Sequence, residues 1–425
     1  MVNGKLYTLS THHKVVFAGN PVNYGDERTL APFFERHGNA VLFTPLPPAV
    51  IYEKILKPVF ENVGIELEPI AQRILDVYRF VCECSTTEIL ISPRELQMMA
   101  LMTIANADKY GSDINAIAEH FTYTLARNLV PESKRAGFDA KFTPKNPIVF
   151  APDAKPDRTF FVTESRLALS QQFDDLLGLR EWRRIDAASL NTAQKGGGLG
   201  GMIVEGAPGI GKSELVIAAL RARGYQEEHD FTQPTAKENP FYRMPVSMPL
   251  SEKEALLIKA FHEGAVVMID EINSSPMMER LLNNLLMGKN PKGQSGDVVK
   301  PGFMIIATQN PVTMAGRRAP STAILRRCIT HQLPEYKPEE IQHTLVSKGI
   351  SLEEAQAMTE AYEKNRIYAV KHQLSPAPNF RHLIELADNQ LKAKTVPTPV
   401  RPGIMQHSIF KPDLESKLQP LEHKP

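Results

Sequence analysis

Apolar residues along the chain form two kinds of pattern. Met202-Ile-Val-Glu205, Ala265-Val-Val-Met-Ile269 and Phe303-Met-Ile-Ile-Ala307 are short runs with little polar alternation, and Ile329-Thr-His-Gln-Leu333 reads as a final short strand. Such runs predict strands, and the continuous Ala265–Ile269 run predicts one buried on both faces of a parallel sheet. Helical spacing follows the first run from Glu214 to Arg223, with Leu215, Ala218 and Ala219 on one side. Another helix is predicted from a Thr163 cap through Leu179, and Trp182, the only tryptophan, is expected to anchor this region against the sheet. Ser92-Pro93-Arg94-Glu95 has the cap, first-turn proline and third-position acid of a helix start, and Ser351-x-x-Glu354 repeats the cap and acid. Met98, Met99 and Met102 fall on the helix after Ser92 as expected core filler. Pro144, Pro147, Pro152 and Pro156 mark an extended connector over 144–157, and the glycine-rich stretch 196–201 reads as a flexible approach to the first strand. Beyond Lys394 a proline-punctuated polar tail to Pro425 has no repeating apolar face, and is expected to be disordered or to dock in extended form.

Composition narrows the picture in a few ways. At 425 residues the chain is too long for one core. Its 49 Lys and Arg balance 48 Asp and Glu, which argues against nucleic acid or an anionic membrane as partner. No stretch is apolar enough to span a bilayer, and Met1-Val-Asn-Gly-Lys-Leu-Tyr does not open like a secretory signal. Cys82, Cys84 and Cys328 lack zinc-site spacing, so buried reduced thiols in a cytoplasmic protein are expected. His12-His13 has no visible third ligand and is not read as a metal site.

The chemistry is concentrated after the first strand. Gly206, Ala207, Pro208, Gly209, Ile210, Gly211, Lys212 and Ser213 form a complete G-x-x-x-x-G-K-[ST] loop, with Glu214 opening the helix beyond it. A strand, a glycine-rich turn and a helix in this order aim backbone N–H groups and a helix dipole at phosphate oxygens. Lys212 is expected to offset charge on the β- and γ-phosphates, and the Ser213 hydroxyl to ligate Mg²⁺. Asp270-Glu271 ends the second run, at the sheet edge where α/β proteins bind ligands. Asp270 is suited to the Mg²⁺ shell, and Glu271 to orienting and deprotonating the attacking water. Asn310, after the third run, offers a polar, uncharged side chain for the γ-phosphate or the water. Arg317, Arg318, Arg326 and Arg327 precede the last short strand.

The series GAPGIGKS, VVMIDEIN, IIATQNP and ILRR resembles AAA+ ATPases, more narrowly the MoxR and dynein-related branch that includes midasin. Leu281-Leu-Asn-Asn-Leu-Leu-Met, followed by a polar stretch to Asp297-Val-Val-Lys-Pro-Gly, is similar to that branch's helix and hairpin before its sensor strand. The resemblance covers about residues 158–390. It implies Asn310 as sensor 1, Arg326 or Arg327 as the arginine finger, and Arg381 as sensor 2 on a helical lid. Of the two adjacent arginines, Arg327 directly precedes the strand-like run, as the family's finger does. The lead-in over Arg158-Thr-Phe-Phe-Val162 resembles the family's segment over the adenine.

The chain also repeats itself. Lys14-Val-Val-Phe-Ala-Gly-Asn-Pro-Val matches Met304-Ile-Ile-Ala-Thr-Gln-Asn-Pro-Val, and Ala31-Pro-Phe-Phe-Glu-Arg36 matches Ser321-Thr-Ala-Ile-Leu-Arg326. The spacing from Asn20 to Arg36 equals that from Asn310 to Arg326, and Arg94 then corresponds to Arg381. Too few residues precede Asn20 for a phosphate loop and an acidic pair. Residues 1–143 are therefore expected to be the back half of one module, carried either by a piece of a larger tandem protein or by a degenerate half-module. The full expectation is an α/β AAA+ P-loop core over 158–335 with a helical lid over 336–394, preceded by that half-module and the 144–157 linker, and followed by the 395–425 tail. Its function would be Mg²⁺-dependent ATP hydrolysis that remodels a protein client alongside neighbouring modules in cis or trans. The alternatives are a nucleotide-binding scaffold with little turnover, and a GTP-using or nucleic-acid-directed motor.

Overall fold

The computed structural model describes residues 12, 44–86, 88–111, 113–148, 163–185, 187–195, 200–274, 279–288, 300–311, 320–372 and 378–395. The Asn20 strand, Arg36, His13, the 149–162 lead-in, the 196–199 stretch, the 289–299 hairpin, Arg317, Arg318 and the 396–425 tail lie outside them. The chain divides into two compact units, Met1–Glu340 and Ile341–Pro425.

The first unit opens with a helical array. Helix α1 runs through Pro48–Ile51, Tyr52–Leu56 and Lys57–Phe60, and its middle piece is π-helical. Pro58 explains that widening: its ring would strike the carbonyl four residues back and it has no N–H to donate. Helix α2 (Glu68–Glu83) buries Ile70, Ile74, Val77 and Val81 at helical spacing. Helix α3 (Pro93–Ala105) carries the Ser92–Glu95 capping box expected from the sequence, and buries Leu96 and every residue from Met98 to Ile104. A helix apolar nearly all round must sit inside, so the methionines fill core. After the single turn α4 (Ala107–Tyr110), α5 (Ile114–Arg127) is capped by the Asp113 carboxylate, and α6 (Glu132–Phe142) buries Phe138 and Phe142.

Helix α7 (Glu164–Ile185) continues past the expected end at Leu179. It joins the array to the sheet: Leu169, Phe173, Leu176 and Leu177 share one continuous core with Met99 and Leu101 on one side and Val204 and Met268 on the other. Trp182 lines a cavity with Ile104 and Ile114 of the array, so it lies on the array side of α7, correcting the expected anchor on the sheet. Asp175, fully buried, accepts from Lys109 Nζ and Tyr110 Oη, and the neighbouring Asp174 bridges Lys109 and Arg223. Burial raises the Asp175 carboxyl above its ordinary range.

Six strands, β1 (Gly201–Glu205), β2 (Gln226–Glu228), β3 (Pro240–Met244), β4 (Val266–Ile269), β5 (Met304–Gln309) and β6 (Ile329–Gln332), form an all-parallel sheet in the order β2-β3-β4-β5-β1-β6. The unbroken apolar runs follow from burial on both faces. Met202, Val204, Val266, Met268, Met304 and Ile306 pack toward α7, the array and α8 (Lys212–Ala222). Ile203, Val267, Ile269, Ile305 and Ala307 pack toward α9 (Leu250–Glu263) and α10 (Glu279–Leu286). At the opposite edge from the phosphate loop, buried Arg180 donates to the carbonyls of Gly302 (2.7 Å) and Gly264 (2.6 Å) and to Tyr225 Oη (2.8 Å). One guanidinium thereby ties together the lead-ins to three strands.

A short helix, α11 (Thr322–Leu325), precedes β6, and α12 (Pro338–Ser347) leads out of the first unit. Within the second unit, α13 (Leu352–Lys371), capped by Ser351, and α14 (Phe380–Thr395) are linked by Gln390 donating to Glu354. Among the described residues no helix is long and apolar enough to cross a membrane. The three cysteines are free and half-buried.

Gly264 terminates α9 at φ +63°, and a Cβ there would run into the Pro301 carbonyl oxygen. Gly264→Ala is expected to destabilise the first unit by about 2 kcal/mol or more, read as a lower urea midpoint in Trp182 fluorescence. Burial also depresses His120 and His331 to about 4, from an unfolded value near 6.5. Their neutral forms stabilise the fold fully above about pH 6.5, and that contribution is lost as pH falls toward about 4. A His120→Gln/His331→Gln double variant should flatten this acid-side decline by roughly 1–2 kcal/mol in urea titrations at pH 7 and pH 5.

Candidate functional site

Strand register decides which residues meet. Glu205 pairs with Gln309 and Ile269 with Ala307, so β1, β4 and β5 end side by side. The phosphate loop, Asp270-Glu271 and Asn310 leave those three ends. The Gly206 amide donates to the Gln309 carbonyl at 3.3 Å, fixing the loop's first residue against Asn310. Gly211 caps α8 from the left-handed region at φ +80°, which a residue with a Cβ adopts at a cost. The chain turns there into a helix whose first residues are Lys212 and Ser213. Glu214 is exposed on that first turn.

Lys212 is only 7% exposed, and its ammonium is drawn inward. Nζ donates to the carbonyls of Gly206 (2.7 Å) and Ala207 (2.8 Å) and to Asn310 Oδ1 (3.0 Å). Asn310, itself buried, donates through Nδ2 to Glu271 Oε1 at 2.9 Å. Lys212, Asn310 and Glu271 thus form one chain of hydrogen bonds across three strand ends. Ser213 Oγ donates to Asp270 Oδ1 at 2.6 Å in a second chain beside it. The structure therefore brings together the loop, the acidic pair and the asparagine named from the sequence.

Three further residues meet the site: Thr308 and Asn273 lie inside the quoted motifs without an assigned role, and Arg243 lies in no motif. Thr308 Oγ1 accepts from the Glu271 amide at 3.3 Å, and Asn273 Nδ2 donates to the Asn310 carbonyl at 2.9 Å. Glu271 itself sits at φ +51°, a region that L-residues with long side chains rarely occupy. Arg243, on β3, reaches Asp270 Oδ2 through Nε (3.2 Å) and Nη2 (3.1 Å). Its only signal in the sequence was a lone charge inside Phe241-Tyr-Arg-Met244.

The donor set of one hydroxyl and one carboxylate fits Mg²⁺, which binds few protein oxygens and takes the remainder from phosphates and water. Among the described residues no group of three or more His, Cys, Asp and Glu forms an all-protein metal cage.

Arg326 and Arg327 bond to residues outside this cluster. Arg327 is buried and donates to Asn283 Oδ1 at 3.1 Å, while Arg326 donates to the Ile89 carbonyl of the array. Both line a cleft of about 390 Å³ with Arg94 and Arg135 of the array. Burial, then the nearby Arg94 charge, lowers the pKa of Arg327. Arg381 is exposed on α14 of the second unit.

Residues 201–328 match the family model of the AAA domain (dynein-related subfamily). Midasin of Giardia intestinalis is 28% identical over 190 residues, which are 42% of this chain and 4% of that protein's length. Among solved structures, a chain from the E. coli MS115-1 HORMA:CdnC:Trip13 complex aligns at 14% identity and a TM-score of 0.28, covering 56% of this chain and 90% of its own. Residues 201–328, which carry five of the six strands of the parallel sheet, are thus an AAA domain of the dynein-related subfamily, and the chain carries a nucleotide-binding AAA+ module of the midasin-like type.

Proposed function

We propose that this chain binds and hydrolyses ATP with Mg²⁺ and uses the cycle to remodel a protein client. The observation that carries this reading is the convergence of Lys212, Asn310 and Glu271 in one hydrogen-bonded chain, beside the Ser213–Asp270 pair. The loop from Gly206 to Ser213 cradles the phosphates with its backbone amides. Lys212 exchanges its bonds to loop carbonyls for phosphate oxygens, and Ser213 and Asp270 hold the metal. Bound Mg²⁺ supplies charge neutralisation at the phosphoryl group being transferred. Glu271 orients and deprotonates the attacking water, and Asn310 holds that carboxylate in place.

In this reading residues 1–143 are the back half of a preceding module, 158–335 the complete core and 336–394 its lid. Residues 144–157 connect the modules and 395–425 form a tail. Arg381 on the lid couples lid position to the γ-phosphate, so that hydrolysis shifts lid against core. Arg94 would be the preceding module's equivalent of Arg381, and its place beside Arg326 and Arg327 supports a finger that serves the preceding site. The neighbours of this module are other AAA+ modules in a ring or arc, the compartment is cytoplasmic, and the balanced charge favours a protein client over nucleic acid.

Lys212→Ala is expected to abolish ATP binding in equilibrium titrations, because the main compensating charge is lost. Glu271→Gln should keep binding and lower turnover by about 10²-fold or more. Retention of parental ATP affinity by Lys212→Ala would refute the site assignment.

Because Arg326 and Arg327 face Arg94 in the array cleft, the dilute chain is expected to hydrolyse ATP slowly. Loss of a finger costs on the order of 10³-fold in rate. Specific activity should rise with protein concentration as copies associate head to tail, and Arg327→Ala should remove that rise. A fast rate that is independent of concentration would overturn the finger assignment.

A further inference from the structure

Both carboxylate oxygens of Asp270 are engaged by the chain's own groups. Oδ1 accepts from Ser213 Oγ, and Oδ2 accepts from Arg243 Nε, with Arg243 Nη2 in ion-pair contact at 3.1 Å. Arg243 has no part in the reading given above. It is the single exposed residue of β3, flanked by buried Tyr242 and Met244. It lies opposite Met268 on β4, two residues before Asp270, which brings its long side chain to the carboxyl edge of the sheet. An exposed ion pair of this kind contributes little to stability. Its partner is what distinguishes it: the Asp270 side chain is 13% exposed and stands where a metal ligand is needed.

We propose that Arg243 is a positioning residue that makes entry of the divalent cation at Ser213 and Asp270 conditional on the triphosphate. A guanidinium at hydrogen-bond distance from Oδ2 repels a cation approaching the same carboxylate. Arg243 must therefore leave Asp270 before the metal settles. Phosphate oxygens held by the neighbouring loop give its planar fork an equivalent partner, since guanidinium pairs with phosphate as it does with carboxylate. Because Arg243 is exposed, the exchange needs only one side chain to rotate. Metal and triphosphate then bind with positive coupling, because each removes part of the other's cost. This inference rests on the metal role proposed for Asp270.

The test is titration of the full chain with Mn²⁺, followed by electron paramagnetic resonance, with and without a non-hydrolysable ATP analogue. In the parent chain the analogue should tighten Mn²⁺ binding by about 100-fold. Arg243→Gln should tighten Mn²⁺ binding without the analogue by roughly 10-fold and shrink the coupling ratio by a similar factor. Arg243→Lys, which keeps the charge but not the fork, should fall between the two. An Arg243→Gln chain with unchanged Mn²⁺ affinity and unchanged coupling overturns the proposal. Asp270→Asn separates the two readings. If it binds Mn²⁺ like the parent, the metal assignment fails; if it loses Mn²⁺ while Arg243→Gln changes nothing, only the role of Arg243 fails. Thermal unfolding and metal-free analogue binding check that each variant folds, and Arg243→Lys provides the same comparison should Arg243→Gln not fold.

Discussion

Burial of the parallel sheet on both faces is the constraint from which the rest of the structure follows. β1, β4 and β5 have no room for a polar side chain along their length, so polar chemistry is confined to their ends. Backbone hydrogen bonding in parallel register then sets those ends side by side, and the site is where the apolar runs stop. Arg180 shows the same logic at the opposite edge. A buried cation is tolerated there because its donors reach the Gly302 and Gly264 carbonyls and the Tyr225 hydroxyl. Fixing the entry of β4 and β5 helps fix their exit, and that exit carries Asp270, Glu271 and Asn310.

The site is closely satisfied from within. Lys212 is tied to loop carbonyls and Asn310, Asn310 to Glu271, and Ser213 and Arg243 to Asp270. Opposite charges and amides arranged in this way hold a set of side chains near their working positions at little desolvation cost. They also mean that a ligand exchanges existing hydrogen bonds rather than adding new ones. Under the proposed function, affinity then depends on how much better a ligand satisfies these groups than the groups satisfy each other. The backbone of Glu271 is in the left-handed region, its amide is held by Thr308, and Asn273 secures the Asn310 that bonds the Glu271 carboxylate.

Much of this was legible in the chain. The phosphate loop, the acidic pair and Asn310 each follow an apolar run, and local pattern is enough to place a run's end. The capping box at Ser92 and the cap at Ser351 were equally visible, because a cap is a contact between residues three apart. The errors share one cause. Trp182 lines a cavity with Ile104 and Ile114, which are distant in sequence, and α7 continues past Leu179, where no local pattern marks its end. Arg243 and Thr308 escaped notice for the same reason: an exposed arginine or a strand threonine is ordinary until the neighbouring strand is known.

The helical array shows how far a single core can carry an arrangement. Leu101 and Met99 of α3 belong to the same continuous core as Val204 and Met268 of the sheet, through Leu169 and Phe173 of α7. Array and core are therefore packed as one body, and the polar contacts from Lys109 to Asp174 and Asp175 reinforce a joint that is already apolar. A body so joined holds Arg94 beside Arg327 despite their repulsion, which packing of this extent outweighs.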